Sequence, residues 1–338
     1  MLAYARYFGE RFALLLITVF ISITVVFIVP RLVPGDPLGA ILLNMSSVGG
    51  SRGGTALVEE YRQIFGLDQT LWTQYISFMR ELLRGNLGYS IASFPSRVTT
   101  LLRLALPWTI GLLAITTLIS WVIGSIIGAV VGWQGRKSRF FQALVPVALL
   151  LYTTPYYILA LILVFVFAFN LDLFPLSGAY SAGLQPEWSF EFVWDILHHA
   201  MLPALSIILV SLGWWFLSMR SLIKTLKGED YIMNAEAMGL KENRILWGYA
   251  FRNALLPQMT GLAISLGNIV GGALITEVIF AYPGIGYLLF NSIKSLDFPV
   301  IQGGVLVIVI SVAVANFLID VAYPLIDPRI RHGAEGSA

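Results

Sequence analysis

Six stretches of the 338-residue chain are apolar on every side of a helix rather than along one stripe. That is the pattern of segments surrounded by lipid, not of helices leaning on a soluble core. They fall at residues 12–30, 104–132, 140–169, 200–219, 258–280 and 300–324, and each is close to the ~20 residues that cross a hydrocarbon layer as a helix. The longer runs have length enough to tilt or to extend beyond the lipid. Two hydrophilic segments between them are too long for turns. In residues 31–103, Ser46–Thr55 is rich in Gly and Ser and reads as a loop, while Glu59–Gly66 and Leu71–Arg84 repeat apolar residues at 3–4 spacing and predict amphipathic helices. In residues 220–257, Asp230 is an N-cap candidate for a helix over Tyr231–Met238, Gly239 can close it in the left-handed region, and a second helix over Lys241–Ala254 leads to Pro257. The expected fold class is an all-α polytopic membrane protein with six transmembrane helices.

Composition agrees: 57% of residues are hydrophobic and 12% charged, against ~25% charged in soluble domains. Charge placement adds an orientation. The loop Gly132–Arg139 carries Arg136, Lys137 and Arg139 and no acid, whereas Asn170–His199 carries Asp172, Glu187, Glu191 and Asp195 and no Lys or Arg. By the positive-inside rule the first is cytoplasmic and the second outside. The chain then divides into a cytoplasmic N-terminus (1–11), a first transmembrane helix (12–30), an extracytoplasmic segment (31–103), a transmembrane core (104–330) holding a cytoplasmic loop at 220–257, and a cytoplasmic tail (331–338). Both termini are expected in the cytoplasm. The seven arginines of residues 31–103 do not oppose this, because long segments translocate regardless of charge. The first span exceeds the ~7–15 apolar residues of a signal peptide and no small-x-small site precedes Arg31, so it reads as a retained helix.

Candidate chemistry is defined mainly by what the spans lack. With no cysteine, disulfides, Cys-type zinc sites and thiol catalysis are excluded. Glu277 and Asp320 lie near span ends and the apolar cores hold almost no ionisable side chain, which disfavours a proton- or ion-coupled carrier; sodium sites built from backbone carbonyls stay open. His198 and His199 are adjacent, point apart on a helix, and lack the i, i+4 spacing of a metal pair. None of the five lysines follows a glycine, so the chain has no G-x-x-x-x-G-K-[ST] phosphate loop. No cofactor or metal is expected on this chain, and any ATP-driven work needs a separate ATPase. The net charge of +2 is explained by topology and gives no reason to expect nucleic acid. Gly124, Gly128 and Gly132 form a small-xxx-small stripe suited to close helix packing. Gly261, Ser265, Asn268, Gly271 and Gly272 make a second small, polar face, for which packing and lining of a translocation path are equal readings; Asn268 needs a partner or water in lipid. In the cytoplasmic loop, Tyr231, Ile232, Met233, Ala235 and Met238 are expected to form an exposed apolar edge, fit for a protein groove or for lipid headgroups.

The order of short motifs along the chain resembles a known family. They are Pro34-Gly35-Asp36-Pro37, Gly85-Asn86-Leu87-Gly88-Tyr89-Ser90, the loop residues Asp230-Tyr231, Ala235, Ala237 and Gly239-Leu240, and Arg252-Asn253-Ala254-Leu255-Leu256-Pro257. Further on come Glu277-Val278-Ile279-Phe280 with Tyr282-Pro283-Gly284-Ile285-Gly286, then Phe298–Gly303 and Asp327–Arg331. Together they resemble the inner-membrane permease subunits of binding-protein-dependent ABC importers, in the oligopeptide/dipeptide/nickel branch, over nearly the whole chain. The resemblance implies a type I ABC importer transmembrane-domain fold, multi-pass in a bacterial or archaeal cytoplasmic (inner) membrane, and a non-catalytic subunit. Its implied partners are a second permease subunit, two ATPase subunits carrying ATP and magnesium, an extracytoplasmic solute-binding protein and membrane lipid. Asp230, Tyr231, Ala235, Ala237, Met238, Gly239 and Leu240 become the ATPase-coupling residues. Met233 and Asn234 stand where the wider superfamily has Glu-Ala, so Glu236 is not that motif's glutamate. Asn268, Gly272, Glu277, Pro283 and Gly284 become candidates for the translocation path or gate, because proline and glycine after Glu277 predict a bent or re-entrant segment. Residues 31–103 are expected to meet the binding protein, or else to form a lid or packing extension. Oligopeptides are the substrate by branch, oligosaccharides the alternative; an ion-coupled carrier or membrane-embedded enzyme is the alternative of another class.

Overall fold

The computed structural model describes residues 2–32, 69–134, 138–267, 269 and 273–326. Among these the helices, in chain order, are α1 (Leu2–Leu32), α2 (Leu71–Leu83), α3 (Val98–Gln134), α4 (Arg139–Thr153), α5 (Tyr156–Leu163), α6 (Phe190–Leu226), α7 (Asp230–Ala237), α8 (Glu242–Ile245), α9 (Phe251–Gly267), α10 (Leu274–Ile279), α11 (Ile285–Lys294) and α12 (Phe298–Ile326). The expected loop at 46–55 and helix at 59–66 lie outside the described residues, as does the 34–37 motif; α2 matches the expected second amphipathic helix.

Among the described residues four helices are long and apolar enough to cross a membrane: α1, α3, α6 and α12. A fifth candidate is α4 with α5 and its π-helical extension Val164–Asn170, and here the structure departs from a continuous span at 140–169. The pair is bent by 98° at Thr154-Pro155. Proline has no N–H to continue the ladder and drives the preceding residue out of the helical region; Thr154 sits at φ −80°, ψ 123°. The expected span 258–280 is not one helix either. It divides into α9, ending at Gly267, and the short α10, whose cap residue Ala273 sits outside the helical region at φ −100°, ψ 64°. By contrast α3 and α6 overrun their expected bounds. Each has 37 residues, about 55 Å at 1.5 Å per residue, against a ~30 Å hydrocarbon core. The extra turns of α6 begin where Ser189 accepts a hydrogen bond from the Phe192 N–H at 3.2 Å, and they include His198 and His199.

The chain forms two compact units, residues 1–108 with 284–338, and residues 109–283. In the first, α1 and α12 run antiparallel: Arg11 pairs with Asp320 at 3.2 Å at one end, and the Gln302 amide donates to the Val26 carbonyl at 3.3 Å at the other. The beginning of α1 and the end of α12 therefore lie on the same side. Tyr75 of α2 packs edge-on against Phe27, with ring centroids 5.1 Å apart.

In the second unit, glycine decides how closely helices approach. A Cβ on Gly124 would sit 2.7 Å from Trp215 Cβ, one on Gly128 2.5 Å from the Phe216 carbonyl oxygen, and one on Gly132 3.0 Å from the Arg220 carbonyl. The stripe on α3 is thus the contact with α6, where only hydrogen fits. On its other side α6 meets α4 the same way: a Cβ on Gly213 would fall 2.6 Å from the Ala148 carbonyl. A Cβ on Gly261 of α9 would touch the Trp215 ring at 3.3 Å, so at this residue the second small face serves packing.

Candidate functional site

The loop at 220–257 folds onto the ends of the long helices. Beyond Leu226, the Lys227 ammonium donates to the Trp133 carbonyl at 3.2 Å and lies 4.7 Å over the Trp133 ring, so the last turn of α3 receives a cation where its carbonyls are exposed. Helix α7 starts one residue earlier than expected. Asp230 is its first helical residue and Glu229 holds the cap position without a side-chain cap bond; an acid in the first turn is favoured by the helix dipole. The far end closes as the sequence indicates. Gly239 has φ +72°, its N–H donates to the Glu236 carbonyl at 2.9 Å, and the Leu240 N–H donates to the Ala235 carbonyl at 3.3 Å. This paired closure is the Schellman motif, which a Cβ at the left-handed position would strain. From Lys241 the chain continues through α8, a π-helical turn at Leu246–Ala250, and α9. Pro257 therefore sits inside α9.

The exposed edge expected on this helix is only partly exposed. Ile232 and Ala235 are both fully buried, packed in a cluster with Met219 and Ile223 of α6, Ala129 and Trp133 of α3, and Ile245 of α8. Residues 232 and 235 lie three apart on one helical face, and that face is turned into the bundle. Tyr231 and Leu240 are half-buried against the same cluster, while Asp230, Ala237 and Gly239 are exposed. Met233 and Met238 are 49% and 68% exposed. The product is a short, rooted knob. Its outer face carries flexible thioethers and one methyl group, a surface that can fill an irregular apolar groove.

Of the expected path or gate residues, Asn268 and Gly272 lie outside the described residues. Glu277, on α10, is fully buried in the second unit. Its Oε1 accepts a hydrogen bond from the Thr109 hydroxyl at 2.7 Å, and its carbonyl accepts from the Tyr282 N–H at 2.8 Å. The chain bends after α10, as expected: Ala281 takes φ +45°, Pro283 follows, and Gly284 is the extended cap residue before α11. On α6, the His198 ring donates to the Leu173 carbonyl at 3.0 Å and His199 Nδ1 contacts the Asp195 carbonyl at 2.9 Å. Among the described residues no group of three or more His, Cys, Asp or Glu could hold a metal ion.

One residue escaped the sequence reading. Asp297 is buried in the first unit. It accepts from the Ser90 hydroxyl, and from the Ile91 and Ala92 N–H groups at 3.1 Å each. It also faces the Val300 N–H at 3.4 Å as the cap of α12. The 85–90 motif thus has a structural purpose. Gly85 and Gly88, at φ +72° and +78°, turn the chain so that Ser90 reaches this carboxylate. The available signal was an acid directly before Phe298-Pro299, a helix-opening pattern.

A family model described as binding-protein-dependent transport system inner membrane component matches residues 122–332. The chain is 31% identical, over 96% of its length and 98% of the relative's, to the di/tripeptide transport system permease protein DppB of Pseudomonas aeruginosa (strain UCBPP-PA14). It is 34% identical to the probable D,D-dipeptide transport system permease protein DdpB of Escherichia coli (strain K12), over 91% and 92% of the two chains. With the oligopeptide transport system permease protein AppB of Bacillus subtilis (strain 168) it shares 29% identity over 95% and 98%.

Proposed function

The chain belongs to the family of binding-protein-dependent transport system inner membrane components, and from that premise we propose that it is one permease subunit of an ATP-driven importer of di- and oligopeptides. Peptides are favoured over oligosaccharides because the three relatives are named for di-, tri- and oligopeptides. In this reading the chain forms the path together with a second permease subunit, receives peptide from an extracytoplasmic binding protein, and does no chemistry itself. Two ATPase subunits supply the work, with ATP and magnesium on them.

The observation that carries the coupling role is the α7 knob. A lever must be stiff at its root and adaptable at its tip. Ile232 and Ala235 root it in the same cluster as α3 and α6, while Met233 and Met238 stand out from it. Force on the knob would therefore reach the ends of two long helices directly. The six-span topology completes the proposal: α4 with α5 serves as the third span, and α9 with α10 brackets the fifth. The cytoplasmic side is the one carrying Arg220, Lys224 and Lys227. Glu277, Pro283 and Gly284 then fall on the outer half of the path. ATP-dependent uptake of a labelled tripeptide into vesicles holding the reconstituted complex tests the reading. Excess unlabelled peptide should abolish uptake and oligosaccharide should leave it unchanged; uptake without ATP, or competition by oligosaccharide alone, would overturn it.

A further inference from the structure

Where α3 and α6 end and α4 begins, the second unit has an open cavity of about 700 Å³ that the coupling role does not use. Its lining divides by chemistry. Phe141 and Val145 of α4 give an apolar wall, and Arg220, Lys224 and Lys227 give a cationic one, with no acid among the described lining residues. In addition, α4 opens here with an N-cap, Ser138, that makes no side-chain cap bond, and a helix N-terminus attracts anions.

Helix-end electrostatics explain only part of this charge. The carbonyls closing α3 and α6 attract cations, and Lys227 answers that need at the Trp133 carbonyl. The dipole effect is confined to the last turn, whereas Arg220 lies more than a turn before Leu226. We propose that the cavity seats the phosphate headgroup of an anionic phospholipid from the cytoplasmic leaflet, with Arg220 and Lys224 as its cationic donors. Phe141 and Val145 take the beginning of its acyl chains. This rests on the orientation given under the proposed function. The apolar wall is what favours an amphiphile over a soluble anion, since a free phosphate gains nothing from Phe141 and Val145.

Native mass spectrometry of the purified, full-length complex tests this, with phosphatidylglycerol, phosphatidylethanolamine and glycerol 1-phosphate as probes. Phosphatidylglycerol should bind in preference to phosphatidylethanolamine and resist glycerol 1-phosphate. The double variant Arg220→Gln/Lys224→Gln should bind it roughly 30-fold more weakly, from the energy of two cations near an anionic headgroup; Lys224→Arg should retain it. Should the double variant fail to assemble, Lys224→Gln alone should lose roughly fivefold. Equal affinity in wild type and charge-removed variants, or no preference for the anionic lipid, overturns the proposal. Displacement by glycerol 1-phosphate would make the site one for soluble anions and overturn it as well. Because lipid retention is read without transport, its failure alongside normal ATP-driven peptide uptake would leave the proposed function standing.

Discussion

Replacing Ala235 and Met238 separately by Asp distinguishes the root of the α7 knob from its tip. Ala235 is fully buried among apolar side chains, so Ala235→Asp puts a carboxylate in place of a methyl group there. The effective penalty for an unpaired buried ion is several kcal/mol, a large share of the ~5–15 kcal/mol that holds a domain together. The knob should detach from α3 and α6. Met238 is 68% exposed, and a surface change of this kind usually alters stability by less than about 0.5 kcal/mol. Once an ATPase subunit covers the residue, however, Met238→Asp buries the same unpaired charge in the interface. At about 3–5 kcal/mol this weakens docking by two to three orders of magnitude. The assay has two readouts: thermal unfolding of the purified permease, and co-purification of the ATPase with peptide-stimulated ATP hydrolysis. Ala235→Asp should lower the unfolding temperature and lose the ATPase. Met238→Asp should keep wild-type stability and lose only the ATPase. If Met238→Asp binds and couples normally, the outer face of α7 is not the docking surface. If Ala235→Asp is as stable as wild type, the rooting argument fails.

Glu277→Ala should lower thermal stability by about 1–3 kcal/mol, because the buried Thr109 hydroxyl loses the acceptor it reaches at 2.7 Å; Glu277→Gln should assemble but import peptide more slowly, and normal stability and uptake in both would make the residue dispensable. Gly128→Ala should destabilise by about 1–3 kcal/mol, since even its Cβ would stand 2.5 Å from the Phe216 carbonyl oxygen; an unchanged unfolding temperature would refute the close α3–α6 contact. The chain has no cysteine, so Glu187→Cys should react with an impermeant thiol reagent on intact cells and Glu236→Cys only after permeabilisation. The opposite labelling would reverse the orientation and remove α7 from the cytoplasm.

What the sequence made legible was the demand of the solvent. Lipid requires an apolar surface all round, and α1, α3, α6 and α12 carry it over enough residues to stand out. The broken segments were harder because hydropathy does not register backbone hydrogen bonding. Thr154-Pro155 breaks the ladder inside an apolar run, and Ala273, at φ −100° and ψ 64°, stands outside the helical region just before α10. The knob shows a different limit. Its caps are local, so the closure at Gly239 could be read from the chain. Which face turns inward depends on α3 and α6, which are not local to it in sequence, so the pattern of the loop alone predicts an exposed Ile232 and Ala235. Asp297 was missed for the same reason, since Ser90 and Asp297 are adjacent in space but 207 positions apart in the chain.

The two buried acids bear on where the energy for transport comes from. Each stands beside a non-glycine residue in the left-handed region, Ala281 at φ +45° after Glu277 and Leu296 at φ +53° before Asp297. Such residues carry roughly 1–2 kcal/mol of strain and persist only where their surroundings hold them. At Asp297 the hold is visible: both carboxylate oxygens are engaged by Ser90, Ile91 and Ala92 while the residue caps α12. Glu277 meets Thr109 with its side chain and Tyr282 with its carbonyl, on either side of the bend. A carboxylate that loads and unloads a coupling ion in every cycle needs an open side and partners it can exchange. At Asp297, taking up an ion would mean breaking contacts that fix the 85–92 turn and the start of α12. Among the described residues the two buried acids hold chain reversals, in keeping with the proposal that this subunit is moved by partners rather than by an ion of its own.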